Sequence, residues 1–91
     1  MVQMKRIYKY ELSDKGRQEI ELPWYSQILS VQMQNGTPCI WVLLNPDDKT
    51  YPQLFEIYGT GHEIKKSEFK HYIGSWQDGP TVWHLFKTYH S

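Results

Sequence analysis

The stretch QILSVQMQNGTPCIWVLL, residues 27–44, decides the fold class. Its first half alternates. Leu29, Val31 and Met33 share one face, and Ile28, Ser30, Gln32 and Gln34 share the other, which is the period of two that a strand imposes. Asn35-Gly36 follows, the strongest short hairpin signal, because both residues accept φ > 0. The second half, TPCIWVLL, is an unbroken apolar run with β-branched and aromatic members. It predicts a central strand covered on both faces, with Trp41 in the core.

The same period runs outward in both directions. KRIYKYEL (5–12) puts Tyr8, Tyr10 and Leu12 opposite Lys9 and Glu11, and RQEIEL (17–22) puts Ile20 and Leu22 opposite Arg17, Glu19 and Glu21. SDKG between them is turn chemistry, with Gly16 able to take φ > 0, so the two runs predict a hairpin. Pro23 then interrupts the ladder. NPDDKTYP (45–52) reads as a loop, and QLFEIYG (53–59) and KHYIGSW (70–76) as strands. QDGP (77–80) is a turn on Asp-Gly, and TVWHLFKTY (81–89) is the last strand. The last strand sets Val82, His84 and Phe86 against Trp83, Leu85 and Lys87. The connection between Gly59 and Phe69 admits one short helical turn at 66–70. No ten-residue window carries a 3.6 period. About six or seven short strands with tight turns and little helix predict an all-β fold, an antiparallel sandwich or small open barrel. Length and the absence of linkers or repeats predict one domain over residues 1–91.

Composition narrows function. Ten Lys and Arg balance ten Asp and Glu, so the chain has no basic surplus. Phosphate contacts dominate duplex binding, and that balance argues against general nucleic-acid binding. It argues equally against an anionic membrane surface. The longest apolar run, CIWVLL, is far short of a membrane span. The opening MVQMKRIYKY shows no apolar signal core, so the expected location is cytoplasmic. A single cysteine, Cys39, forms no internal disulfide, and its apolar strand favours an inert thiol. The histidines at 62, 71, 84 and 90 lack metal-ligand spacing, and neither a metal nor a cofactor is expected.

Aromatic residues make up 15% of the chain and supply the main candidate site. Trp24 and Tyr25 follow Pro23 at a strand end, and Trp76 precedes the QDGP turn. Such side chains either cap the end of a β-core or stack on a base or a partner side chain. GTGH (59–62) has two readings as well. Gly59 and Gly61 permit a strand-ending turn, or the amides around Thr60 form a nest for an anion, with His62 and Lys65 adding charge. The spacing does not fit a phosphate loop of the Walker type. His84 sits beside Trp83 and reads as a hydrogen-bonded strand histidine. No catalytic residue is assigned.

Three segments carry a resemblance: ILSVQMQNGTPCIWVLLNPD (28–47), EIYGTGHEI (56–64) and YIGSWQDGPTVWHLF (72–86). They resemble a family of small proteins found mainly in bacteriophages and prophages and catalogued as a domain of unknown function. The resemblance rests on Gln34, Asn35, Gly36, Pro38, Cys39 and Trp41, on Gly59 to His62, and on Tyr72, Ile73, Gly74, Val82, Trp83, His84 and Phe86. It implies a phage origin, a place in the host cell cytoplasm and no transferable catalytic residues. The expected function is a non-enzymatic binder that sequesters a nucleotide-derived signal of host defence. Its site would draw on Trp24, Tyr25, Gly59, Thr60, Gly61, His62, Lys65, Trp76 and His84. A protein inhibitor of a host defence enzyme or nuclease is the alternative, and a phage structural or accessory protein a third. A homo-oligomer fits each of them.

Overall fold

The computed structural model describes residues 4–64 and 69–89. Among these residues there are seven strands and no helix: β1 (Arg6–Glu11), β2 (Arg17–Pro23), β3 (Gln27–Gln34), β4 (Thr37–Leu44), β5 (Thr50–Gly59), β6 (Phe69–Asp78) and β7 (Thr81–Tyr89). They form two antiparallel sheets, ordered β1-β4-β3 and β2-β5-β7-β6. The fold is all-β and the sheets do not close into a barrel.

The opening stretch behaves as its chemistry requires. Asn35 at φ 52° and Gly36 at φ 82° make the tight turn, and Gln34 pairs with Thr37 across it. β4 is the central strand of its sheet. Ile40, Val42 and Leu44 point into the core, with Cys39 buried beside them in sequence. Trp41 does not join the core, contrary to expectation. It alternates with Ile40 and Val42, which places it half-buried on the outer face of the sheet.

The alternation in β3 is broken by a bulge. Ile28 pairs with Val42 and Ser30 with Trp41, so Leu29 is the extra residue. One extra residue reverses the facing of everything beyond it. Ile28 therefore packs on the core with Val31 and Met33, and Leu29 is exposed. β6 carries a matching bulge at Ile73, between the pairs Tyr72–Phe86 and Gly74–Leu85. These two bulged strands are the edges along which the sheets come closest. A Cβ at Gly74 would lie 2.9 Å from Val31 Cγ1, so glycine permits that approach.

β1 and β2 are not a hairpin. β1 pairs with β4 and β2 with β5, so the SDKG segment crosses from one sheet to the other. Gly16 is not at positive φ. Gln18 holds the crossover instead: its Oε1 accepts from Ser13 N–H (2.9 Å), and its Nε2 donates to the carbonyls of Lys15 (2.8 Å) and Ser13 (3.2 Å).

Three boundaries also differ. β5 begins at Thr50 and includes Pro52, which pairs with Glu21. β7 reaches β5 only from Leu54 onward, so the proline has a neighbour strand on one side alone, where a missing N–H is tolerated. The last turn is Gly79-Pro80 and not Asp-Gly: Asp78 pairs with Thr81, and Gly79 has φ 59°. A positive-φ glycine followed by proline, whose ring fixes φ near −65°, is the type II′ order. Of the helical turn expected at 66–70, residues 66–68 lie outside the described residues, and Phe69 and Lys70 belong to β6.

The core between the sheets is Leu12, Leu22, Val31, Ile40, Val42, Leu44, Phe55, Trp76 and Leu85. No helix among the described residues is long and apolar enough to cross a membrane.

Candidate functional site

The GTGH segment is a reverse turn at the end of β5. His62 N–H donates to Gly59 C=O (3.0 Å), and Gly61 at φ 90° occupies the third position, the arrangement of a type II turn. Its amides are largely committed. Gly59 N–H donates to His62 Nδ1 (3.1 Å) and Thr60 N–H to Val82 C=O (3.1 Å). With these donors engaged within the turn and by β7, the geometry does not favour an anion nest. The His62 ring folds back over Gly59, where any Cβ would lie 2.8 Å from its Cε1, and meets Trp83 edge to face at 5.9 Å. Lys65 lies outside the described residues.

Thr60 points to the outer face of the four-stranded sheet. Its hydroxyl lies 2.9 Å from His84 Nε2 and 3.2 Å from Val82 C=O, and Tyr72 Oη lies 3.3 Å from His84 Nδ1. One directed chain satisfies all three: Tyr72 O–H to Nδ1, Nε2–H to Thr60, Thr60 O–H to Val82. A hydroxyl that gives its proton to a backbone carbonyl is not poised as a nucleophile. Gly59, Thr60, Gly61, His62 and His84 line a shallow hollow of about 280 Å³ together with Tyr58, Ile64 and Phe86.

The same face holds a buried ion cluster that period-two reading could not show. Glu56 is only 5% exposed. It accepts from Lys70 Nζ, from Thr88 Oγ1 (2.9 Å), from Tyr58 Oη (3.0 Å) and from Arg17 Nη1 (3.3 Å). Burial pushes its carboxyl up, but the bonds from Lys70, Thr88 and Tyr58 outweigh it and hold the group below its ordinary 4.5. Burial, then the bond to Glu56, raises the Tyr58 phenol above 10.0.

A larger cleft opens at one end of the sandwich, where three connections converge. The crossover supplies Leu12, Ser13 and Asp14, and the Asn35-Gly36 hairpin supplies Gly36, Thr37 and Pro38. Ile57, Trp76, Asp78 and Trp83 come from the other sheet. Its volume is about 360 Å³, within the range of small-ligand sites. Trp76 and Trp83 are cross-strand partners, so both rings lie on the inner face. Asp14 and Asp78 are exposed carboxylates on the rim. Trp76 is the one sequence-selected residue that lines this cleft directly, and His62 reaches it through Trp83. Asp14 and Asp78 read as turn residues in sequence, and only the folding of three turns onto one end brings them together.

Trp24 and Tyr25 stand apart from both hollows. Trp24 stacks on Tyr51 at 4.7 Å, and Tyr25 is 89% exposed at φ 64°. Cys39 is buried, with its thiol directed at Thr37 C=O (3.5 Å). Among the described residues no three metal-ligating side chains gather.

No curated protein and no solved structure matches the chain. A family model described as a domain of unknown function (DUF7352) matches residues 4–91, and the chain belongs to that family.

Proposed function

We propose that the protein is a small non-enzymatic binding protein that sequesters a nucleotide-derived ligand, and that the inter-sheet cleft takes the ligand's base. The observation that carries this is the pairing of two Trp rings with two rim carboxylates in one hollow. Aromatic walls accept a flat ring by stacking, worth about 1–3 kcal/mol per base. Asp14 and Asp78 accept hydrogen bonds from ring N–H and exocyclic amino groups, and their charge keeps phosphates outside. The resemblance to phage proteins gives such binding a setting, the capture of a host defence signal in the infected cell.

Thermal shift against cyclic nucleotides and ADP-ribose derivatives tests it. A ligand at about 100 times its Kd adds about 2.7 kcal/mol of stability. Asp14→Asn with Asp78→Asn is expected to abolish the shift while leaving the free protein's melting temperature unchanged. No shift with any ligand sinks the reading.

A protein partner is the second reading, favoured by the Pro23–Ser26 turn. Tyr25 holds a left-handed conformation that costs a non-glycine residue about 1–2 kcal/mol, and almost its whole ring faces solvent. Strain that presents an exposed aromatic is a feature of contact sites.

A further inference from the structure

The two sheets have four edges, and three are accounted for. β3 and β6 lie along each other. β2 turns Arg17, Glu19 and Glu21 outward and ends at Pro23, a combination that discourages strand addition. β1 is the remaining edge. It is exposed along nearly its whole length, and Ile7 is 57% exposed.

The phase of its hydrogen bonds is fixed by Leu12, whose N–H donates to Pro38 C=O (2.9 Å). In an antiparallel ladder alternate residues turn both backbone groups to the same neighbour. Arg6, Tyr8 and Tyr10 therefore face β4, and Ile7, Lys9 and Glu11 present N–H and C=O outward. We infer that this edge pairs antiparallel with β1 of a second copy about a two-fold axis, joining two three-stranded sheets into one of six strands.

Symmetry restricts the register. A two-fold axis perpendicular to the sheet keeps the same face up in both copies, so even residues oppose even and odd oppose odd. Centring on Lys9 sets Lys9 against itself, and centring on Ile7 sets Lys5 against Lys9; like charges directly opposite destabilise. Centring on Tyr10 leaves Ile7 uncovered. Centring on Tyr8 uses the full strand and extends the ladder by one residue: Lys5, immediately before β1, opposes Glu11 of the second copy twice over, Ile7 lies along the Lys9 stem, and Arg6 meets Tyr10. That charge complementarity selects the second copy as occupant. The inference is independent of the ligand reading.

Sedimentation of the full chain tests it, with twice the 10.9 kDa chain mass expected at micromolar to millimolar concentration. Ile7→Pro removes only an outward N–H, and it is expected to give a folded monomer. Lys5→Glu or Glu11→Lys alone is expected to weaken association severalfold, and the double swap to restore it. A single-chain mass at every concentration overturns the proposal, as does a folded Ile7→Pro that still dimerises. If Ile7→Pro does not fold, the swap decides: a double variant as weak as either single one overturns the register and the interface with it.

Discussion

At Gly74 a single methyl group would come within 2.9 Å of Val31 Cγ1, the point where one sheet meets the other. The neighbour cannot step aside, because Val31 is buried and β-branched. Gly74→Ala is expected to cost about 1–3 kcal/mol in urea unfolding, the usual range for overpacking. Val31→Ala combined with Gly74→Ala should cost less than the two single changes summed, since the clash is shared. Unchanged stability in Gly74→Ala would show that the sheets are not pinned there. The sequence marks this glycine, but a glycine in a strand signals a bulge, a bend or a close approach without saying which. Asn35-Gly36 was legible because its partner strands are contiguous and the turn chemistry is local. Leu29 and Trp41 were misassigned because facing depends on a bulge and on what covers each face of the sheet.

Among the strands, one carboxylate connects the whole of the four-stranded sheet. Glu56 on β5 bonds Arg17 on β2, Lys70 on β6 and Thr88 on β7. Its folded pKa lies below the ordinary 4.5, so the stability it contributes is complete above that value and is lost as pH falls through the lower folded value. Tyr58 acts at the other end. Its raised phenol adds stability that is full below 10.0 and fades as pH rises past it. Glu56→Gln removes the buried carboxylate on which Lys70, Thr88, Tyr58 and Arg17 converge and is expected to cost about 3 kcal/mol at neutral pH, the low end of the range for a broken buried ion pair. It should also flatten the acid limb of the stability-pH curve measured by thermal melting. An acid limb as steep as the wild type's would remove Glu56 as its cause. Elements were legible here and their neighbours were not. Each strand announces itself locally, by its period or, in β4, by an unbroken apolar run, but β1 and β2 look like a hairpin until the crossover held by Gln18 is seen. Nothing local marks Glu56 for the same reason: the groups that bury it come from strands 14 to 39 residues away in sequence.

The whole molecule has one core built from both sheets, which decides how it unfolds. Phe55, with no exposed surface, comes from the four-stranded sheet; Ile40, Val42 and Leu44 come from the three-stranded one. Among the described residues the buried apolar side chains gather in this one cluster. A chain of 91 residues has a net stability of about 5–14 kcal/mol at the usual per-residue range. Phe55→Ala is expected to remove about 3–5 kcal/mol of it. Because the loss falls on a shared core, the slowest-exchanging amides of β4 should lose as much protection as those of β5, although Phe55 belongs to β5 alone. Native-state hydrogen exchange reads each strand separately. If β5 amides lose protection while β4 amides keep theirs, the sheets are separate cooperative units. The cleft at their junction would then have to be regarded as a gap between two bodies and not as a preformed site.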